Sequence, residues 1–186
     1  MGDFFIIKEV FILPNIIPER MRLFEVYING SRESGIAEGE FPSLEYMTSE
    51  VKGTGIAGTT ESIVPGLFGS ITFTLKWRAT PKNFFTLAEP KVHDLDLYAD
   101  IEVFDAGLGQ TKTQSLHAYI KAQTKHFNMG SLTVGESMDG ETEHEVTYIK
   151  IEHDGATKIE LDKYNYIYKV NGTDYLADSR KALGLQ

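Results

Sequence analysis

A glycine-rich segment of the chain has the spacing of a nucleotide-binding loop. The sequence GTGIAG places Gly53, Gly55 and Gly58 in a G-x-G-x-x-G pattern, in which glycines let a pyrophosphate approach the N-terminus of a helix. The sequence that follows argues against this chemistry, because Pro65 and Gly66 interrupt any helix that would start there. We therefore interpret the three glycines as loop residues with unusual backbone angles, and predict no cofactor.

The histidines do not have the spacing of a metal site. No two of them follow the H-x-H or H-x-x-x-H pattern that places two imidazoles on one ion. His144, between Glu143 and Glu145, has the residue types of a weak cation site, but a polar run of this kind is more typical of a solvated strand edge. We expect no metal. The five histidines are His93, His117, His126, His144 and His153.

Catalytic nucleophiles and acid pairs are not indicated either. The chain has no cysteine and no G-x-S-x-G motif, which removes a thiol nucleophile and a serine elbow. Acids occur in polar runs at residues 38–40 and 141–145, where carboxylates usually face solvent instead of flanking a cleft as in a glycosidase. The sequence predicts no catalytic residue, and we interpret the protein as a non-enzyme.

The charge balance disfavours binding to nucleic acid. The formal net charge is −9, and such a surface repels phosphates. Tyr164, Tyr166 and Tyr168 alternate near Lys163 and Lys169, and base stacking would need aromatic residues of this kind beside basic ones. We interpret these tyrosines instead as core or interface residues of one strand face, because tyrosine is common at protein contacts.

Length and composition indicate one globular domain with its own core. The chain has 186 residues, of which 41% are hydrophobic and 24% charged. Its most apolar stretch, Phe4 to Pro18, contains Lys8 and Glu9 and is shorter than the ~20 apolar residues of a membrane span. We expect residues 1–20 to be an apolar extension, either a strand packed on its own domain or a surface buried against a neighbouring subunit.

The elements that must position these residues are mostly strands. Apolar and polar residues alternate with a period of two in several segments, which predicts strands with one buried face. Asn29-Gly30, Asp139-Gly140 and Asp154-Gly155 are turn signals. The fold class predicted is mainly β, an antiparallel sandwich or barrel with one short helix. The alternating apolar sets are Phe24, Val26 and Ile28; Ile71, Phe73, Leu75 and Trp77; Leu97, Ala99, Ile101 and Val103; and Leu116, Ala118, Ile120 and Ala122.

Two segments depart from the strand pattern. Thr80 as an N-cap and Pro81 at the first helical position predict a short helix that ends before Pro90, and a helical turn is expected over residues 175–183. Residues 39–69 are rich in Gly, Ser, Thr and Glu and show few alternations. We predict that they form a long projecting loop that reaches a partner, because long loops in compact domains are usually functional or disordered.

The C-terminal sequence carries a specific resemblance. IELDKYNYIYKVNGTDYLADSRKALGL resembles the closing segment of the major tail tube protein of contractile-tailed bacteriophages and R-type bacteriocins. LFEVYINGSRESGIAEGEFPSLEYMTSEVKGTGIAG is similar to the N-terminal hairpin, long loop and glycine-rich tip of the same family. The resemblance covers roughly residues 21–185, so the predicted division is an extension over 1–20 and a tail tube domain over 21–186.

The resemblance implies a structural protein that works as an assembly. Family members form hexameric rings that stack into a hollow tube inside a contractile sheath, and each subunit adds strands to one ring-wide β-barrel. The implied partners are further copies of the chain, the sheath protein, and baseplate and tail-terminator proteins, with DNA passing through the lumen without specific binding. The implied location is the virion tail or a phage-tail-like particle.

The resemblance also suggests roles for particular residues. We expect Gly53, Gly55 and Gly58 to lie in a loop between stacked rings. Six copies at −9 each carry −54 per ring, and Glu25, Glu38 and Glu40 are candidates for acids that face the lumen. The expected assembly motif is Asn171, Gly172, Asp174, Leu176, Arg180, Leu183 and Gly184, with a turn at Asn171-Gly172, backbone hydrogen bonds accepted by Asp174 and an ion pair made by Arg180.

Two alternatives stay open on the sequence alone. The tube of a type VI secretion or other contractile injection system shares the ring fold implied by the resemblance. A β-sandwich that binds a small ligand or glycan is the alternative from another functional class, and it would be a monomer or dimer with a defined pocket.

Overall fold

Antiparallel strands dominate a computed structural model that describes residues 15–33 and 35–185. The predicted mainly β, antiparallel fold class is confirmed, with 61% strand and 6% helix. Residues 1–14 of the predicted extension lie outside the described residues. The described strands are β1 (Ile16–Ile28), β2 (Ser31–Glu33), β3 (Ile36–Glu40), β4 (Tyr46–Lys52), β5 (Thr59–Phe68), β6 (Thr72–Trp77), β7 (Val92–Asp105), β8 (Gln110–Asn128), β9 (Gly140–His153), β10 (Ala156–Asp162), β11 (Ile167–Val170) and β12 (Thr173–Asp174), and the helices are α1 (Phe84–Leu87) and α2 (Ala177–Ala182).

One large antiparallel sheet contains all of these strands except β4 and β5. Its main path is β12-β11-β10-β9-β8-β7-β1-β2, with β6 joined to β9 and β3 joined to β6. Tight turns with positive φ at both residues connect β1 to β2 at Asn29-Gly30 and β9 to β10 at Asp154-Gly155. Both turns follow the prediction from their dipeptides.

Strand β9 belongs to two layers of the fold. Residues 140–145 pair with β6 and residues 148–153 pair with β10, while β8 borders both halves. The pairing between β8 and β9 shifts register between Lys121 and Ala122, and an irregularity of this kind bends a strand. The bend lets one continuous sheet fold over its own core as a sandwich.

The core lies between the two layers and obeys the predicted alternation. Helix α1 closes one end, where the ring of Phe84 stands 5.5 Å from that of Trp77. The helix begins later than predicted, because the Phe84 N–H donates to the Pro81 carbonyl in a turn; Thr80 is therefore not its N-cap. The fully buried apolar side chains include Ile71, Phe73, Leu75, Trp77, Leu87, Leu95, Ile120 and Ile149.

A chain of buried polar groups crosses this core. Trp77 Nε1 donates to Thr142 Oγ1 at 3.0 Å, and His144 lies between the hydroxyls of Thr142 and Thr124, 3.0 Å from each. Burial, with a smaller contribution from the charge of His93, lowers the pKa of His144 to about 4. The expectation that His144 lies on a solvated edge was wrong, because alternation turns it inward and its acidic neighbours outward.

Beyond the core, three strands continue as an arm. It consists of residues 16–25 of β1, 99–105 of β7 and 110–115 of β8, and β7 lies in the middle. Among the described residues, β2 pairs with β1 only from residue 26 onward, and β9 pairs with β8 only from residue 116 onward. Both outer edges of the arm are therefore unpaired over most of its length. Residues 16–20 of the predicted extension form part of β1.

Candidate assembly surface

The segment predicted as a loop, residues 39–69, is mostly a β-hairpin. Within the described part of the chain, strands β4 and β5 pair only with each other, from Tyr46 opposite Phe68 to Lys52 opposite Thr59. Every residue of β4 is exposed. The loop prediction was wrong over 46–52 and 59–68, because a strand exposed on both faces lacks the apolar alternation that identifies strands in a sequence.

The hairpin exposes apolar side chains instead of burying them. Its short two-stranded ribbon carries four exposed apolar side chains, those of Met47, Val51, Ile56 and Ile63. An isolated two-stranded hairpin is marginally stable in water. The register, with Ile63 opposite Thr48 and Val51 opposite Thr60, places Ile63 and Val51 on opposite faces, so both faces of the ribbon expose apolar side chains. This arrangement fits a surface that a partner covers.

The glycine triplet makes the tip of the hairpin. Gly53, Gly55 and Gly58 have φ of 141°, 96° and 114°, backbone angles that residues with a Cβ rarely adopt. The next element is the strand β5 and not a helix, so the tip lacks the helix N-terminus that a dinucleotide site needs. A Cβ at any of the three positions would meet no atom within 4 Å, and residues 53–58 are all exposed.

Aromatic residues fix the base of the hairpin to the C-terminal region. The hydroxyls of Tyr46 and Tyr168 lie 2.6 Å apart, and the ring of Phe68 lies 4.8 Å from that of Tyr46 and 5.0 Å from that of Tyr168. Burial and then the hydrogen bond with Tyr46 raise the pKa of Tyr168. The prediction that Tyr164 and Tyr166 share a strand face with Tyr168 was wrong, because both lie in the turn before β11.

A close approach between Gly66 and Leu176 completes this anchor. Gly66 is buried within β5 at a φ of 79°, and a Cβ there would stand 2.6 Å from Leu176 Cγ. Real Cβ atoms do not tolerate such a distance. Leu176 is itself buried in the core cluster. The base of the hairpin thus packs directly against a residue of the C-terminal motif.

The C-terminal motif forms a local hydrogen-bonded cap. Asn171 and Gly172 turn with φ of 48° and 83°, Asp174 Oδ1 accepts from the Leu176 N–H at 3.0 Å, and Arg180 donates to Asp174 Oδ2 at 2.5 Å. Arg180 also donates to the Tyr166 carbonyl at 2.7 Å. The hydrogen bond from Arg180 lowers the pKa of Asp174, although burial opposes it.

Helix α2 ends within the same motif. Gly184 has a φ of 72°, and the Leu185 N–H donates to the Arg180 carbonyl at 2.9 Å, a glycine-terminated helix end. Leu183 is exposed. The seven motif residues are thus adjacent, and they hold the hairpin base through Leu176; a direct assembly contact by any of them stays a prediction.

The three candidate lumen acids form two separate ion-paired groups. Glu25 lies on the outer face of the layer formed by β1 and β7 and is paired with Arg32, whose hydrogen bond lowers the pKa of Glu25. Glu38 and Glu40 both pair with Lys76, 3.1 Å from its Nζ, on the outer face of the opposite layer. Their orientation towards a lumen stays a prediction.

A cluster that the sequence did not reveal lies on the same face as Glu25. His117 Nε2 lies 3.0 Å from Asp96 Oδ1, its Nδ1 lies 3.4 Å from Glu152 Oε2, and its ring stacks on Tyr98 at 4.3 Å. Strand register places these residues side by side although they are up to 56 positions apart. We name this surface, the outer face of β1, β7, β8 and the second half of β9, the polar face.

Two further features bear on the class of site. Within residues 15–33 and 35–185, no group of three or more His, Asp or Glu side chains has the arrangement of a metal site. None of the helices in this part of the chain is long and apolar enough to span a bilayer. The distinctive features of the described surface are therefore its exposed hairpin, its open strand edges and its polar face.

Comparison with known proteins agrees with this description. A family model, phage tail tube protein FII, matches residues 18–184. The tail tube protein of Escherichia phage P2 is 25% identical over 179 residues, which cover 91% of this chain and 99% of that protein. The sheath/tube terminator of an extracellular contractile injection system has the same fold, with a TM-score of 0.51 at 14% identity over 73% of this chain and 96% of that one. The chain therefore belongs to the phage tail tube protein FII family, and it is a structural protein of the tail tube in a virion tail or tail-like particle.

Proposed function

We propose that six copies of the chain form a ring and that rings stack into the hollow inner tube of a contractile tail. The observation that carries this proposal is the three-stranded arm, whose two outer edges make no strand pairing with the described residues over most of their length. An exposed edge of this length is a template for pairing with another strand, and isolated proteins usually shorten or cover such edges.

A closed ring needs two different edges on each copy, because its interfaces are heterologous. The arm offers the edge of β1 over residues 16–25 and, on its other side, the edge of β8 over residues 110–114. Pairing between neighbouring copies would satisfy both rows of backbone groups and leave no open edge around the ring. This pairing is what the family resemblance leads us to expect.

The polar face is the part of the chain that we assign to the lumen. Asp94, Asp96 and Asp100 alternate along β7 on this face, beside Glu25. These acids are paired with the side chains of Arg32, Lys121, His117 and Arg22, so the wall would carry no excess of positive charge. Such a wall would let DNA slide without the many phosphate contacts that produce tight binding. Glu38 and Glu40 would then face the outside of the tube. A channel lined mainly by basic groups would contradict this assignment.

The exposed hairpin is our candidate for a contact between stacked rings. Its tip is open and its apolar residues are uncovered, and both features suit a surface that a second ring buries. Deletion of residues 50–60 removes the tip and leaves the Tyr46, Phe68 and Tyr168 cluster at the base. We expect a folded subunit that no longer forms tubes; normal tubes from this variant would remove the hairpin from the stacking contact.

The position of such a tube within a tail suggests which other proteins it would contact. The outer surface would meet the sheath protein, and the tube ends would meet baseplate and tail-terminator proteins. The lumen would serve as a conduit for DNA in a phage, or the tube would puncture a membrane in a bacteriocin particle. No cofactor is required for either role.

Electron microscopy and native mass spectrometry of the purified chain test the proposal. Assembled protein should give rings with a central hole and a mass of six copies, or tubes made of such rings. The ligand-binding alternative predicts compact monomers or dimers at every concentration, and that result would reject the proposed ring.

A further inference from the structure

We propose that Arg22 of one copy binds Asp100 of its neighbour in the same ring, across the strand β8 that separates the two residues. This inference rests on the proposed function, in which the free edge of β1 in one copy meets the free edge of β8 in the next. It adds a contact between charged side chains to the pairing of the backbones, and it names the residues that make the two edges specific for each other.

Asp100 has a carboxylate oxygen that lacks a partner in the single chain. Its Oδ1 is shielded from solvent, and none of the described residues donates a hydrogen bond to it. A buried charged acceptor without a donor costs free energy, and such atoms are few in native structures. A donor supplied by a second copy would remove this cost.

Arg22 of the same copy does not satisfy this oxygen. Its Nε lies 3.9 Å from the other oxygen of Asp100, Oδ2, and 3.5 Å from Glu102 Oε2, whereas a strong hydrogen bond between a guanidinium and a carboxylate is about 2.7–2.9 Å long. Arg20, by contrast, donates to Glu102 at 2.8 Å. The side chain of Arg22 is 47% exposed, so its guanidinium is free to turn to a new partner.

The groove beside Asp100 suits a cation. It lies on the polar face, has a volume of about 250 Å³, and extends from Leu23 on β1 across β7 to Thr113 and Ser115 on β8. The charged side chains of its lining are Asp100 and Glu25, both acidic. An apolar cavity of roughly 150 Å³ accepts a benzene molecule, so the groove has room for a planar guanidinium. The χ2 torsion of aspartate is soft, so the carboxylate can turn towards a donor there.

Rotational symmetry places Arg22 of the neighbour on the correct face. Strands β1 and β8 are both antiparallel to β7, so they run in the same direction. Rotation about the axis of a ring preserves the direction of each strand and the face that it turns towards the axis. At the joint, β1 of the neighbour therefore runs parallel to β8, and its Arg22 lies on the same face as Asp100.

Strand β8 leaves the path between the two residues open. On the polar face its free end carries small hydroxyl side chains, those of Thr111, Thr113 and Ser115, and Ser115 lies directly opposite Asp100. Two strand spacings, roughly 9.6 Å, separate β7 from the neighbour's β1. An extended arginine on one side and an aspartate on the other can span this distance.

An exchange of charges between two variants tests the contact. Asp100→Lys copies and Arg22→Glu copies should each need a concentration at least about tenfold higher to form rings, because every joint then brings like charges together. In a mixture the two variants can alternate around the ring, and every joint then has opposite charges. Native mass spectrometry, with one variant isotope-labelled, should show rings at nearly the wild-type concentration and an excess of rings with three copies of each variant.

The matched control uses Arg20 and Glu102, which lie on the same strands and are hydrogen-bonded within one copy. A mixture of Arg20→Glu and Glu102→Lys copies should assemble no better than the separate variants, because alternation cannot repair a pair within a copy. Asp100→Asn, which keeps the shape of the side chain, should also weaken ring formation without lowering the melting temperature of the subunit.

Three results would overturn the contact. They are normal ring formation by Asp100→Lys or Arg22→Glu alone, no rescue in their mixture, and equal rescue in the control mixture. Each of them leaves the ring itself intact as long as the wild-type chain assembles. A wild-type chain that forms no rings at any concentration overturns the proposed function together with this inference.

Discussion

Strands β6 and β4 have similar lengths but differ in burial. The side chains of β6 alternate between buried and half-buried, and Phe73, Leu75 and Trp77 fill the core. All seven residues of β4 are exposed, although they include Tyr46, Met47 and Val51. The first strand is buried within its own copy, while the second leaves the apolar side chains of Met47 and Val51 exposed. Burial within one copy thus separates the elements that fold the subunit from those available for assembly.

A large-to-small substitution in each region should give the largest difference in the free energy of unfolding between the two. Trp77→Ala should lower the free energy of unfolding by about 3–5 kcal/mol, because it leaves a cavity and removes one of the two hydrogen bonds of the buried Thr142 hydroxyl. Ile63→Ala on the hairpin should change it by less than about 0.5 kcal/mol. Denaturant unfolding of the unassembled subunit measures both. Comparable losses would show that the hairpin belongs to the folded core.

The contrast between the regions also explains which parts of the structure the sequence could predict. Apolar alternation predicted the core strands, and the dipeptides Asn29-Gly30 and Asp154-Gly155 predicted two turns. Both signals are local, because the burial pattern of a strand and the backbone angles of a turn are set by residues close in sequence. The hairpin was missed because neither of its faces is buried. The cluster of His117, Asp96 and Glu152 was missed because it depends on strand register, which no local pattern contains.

The C-terminal motif lies between these extremes. Its turn, the acceptor role of Asp174 and the ion pair with Arg180 are local interactions, and the structure contains all three. Its contact with Gly66 joins residues 110 positions apart in the chain, and nothing in the sequence points to it. Sequence reasoning therefore found the motif but not the element that it holds.

Acid should destabilise the core through His144, which has no counterpart in the exposed hairpin. Burial lowers the pKa of His144 from 6.5 to about 4, so on acidification the unfolded chain takes up a proton before the folded chain does. The stability that depends on neutral His144 is complete above pH 6.5 and is lost as the pH falls towards 4. The loss is of the order of 3 kcal/mol and is measured by unfolding at a series of pH values.

Two histidine variants isolate this effect from the titration of carboxylates. His144→Gln should unfold more easily at neutral pH and show a flatter dependence between pH 6.5 and 5. His126→Gln, at an exposed position, should keep the wild-type dependence. If both variants gave the same slope as the wild type, His144 would not be the titrating group.

A substitution at the junction between the core and the hairpin should have the next largest effect on stability. Gly66→Ala combines a positive φ with a clash against Leu176, and we expect a loss of about 1–3 kcal/mol together with impaired tube formation. Gly69→Ala is the matched control, since a Cβ there meets no atom within 4 Å. Adding Leu176→Ala should restore part of the assembly if the clash misdirects the hairpin. If Leu176→Ala did not restore tube formation, backbone strain at residue 66, and not the clash with Leu176, would be the cause of the defect.

The smallest expected effect comes from the ion pair of the C-terminal motif. Arg180→Ala should lower the melting temperature by less than Trp77→Ala does, because Arg180 loses its hydrogen bonds to Asp174 and to the Tyr166 carbonyl at a partly exposed site. Arg180→Lys should retain part of the stability, since lysine keeps the charge without the bidentate geometry. Unchanged melting and unchanged assembly in Arg180→Ala would exclude both a local and an interface role.

The central claim is that copies of this chain complete one another's sheets at the open edges of the arm. A cryo-electron microscopy reconstruction of the assembled protein tests it most directly. We predict sixfold rings in which residues 16–25 of β1 are hydrogen-bonded to a strand of the neighbouring copy, with the polar face around the channel. A ring in which this edge of β1 faces solvent, or protein that remains monomeric at high concentration, would contradict the claim.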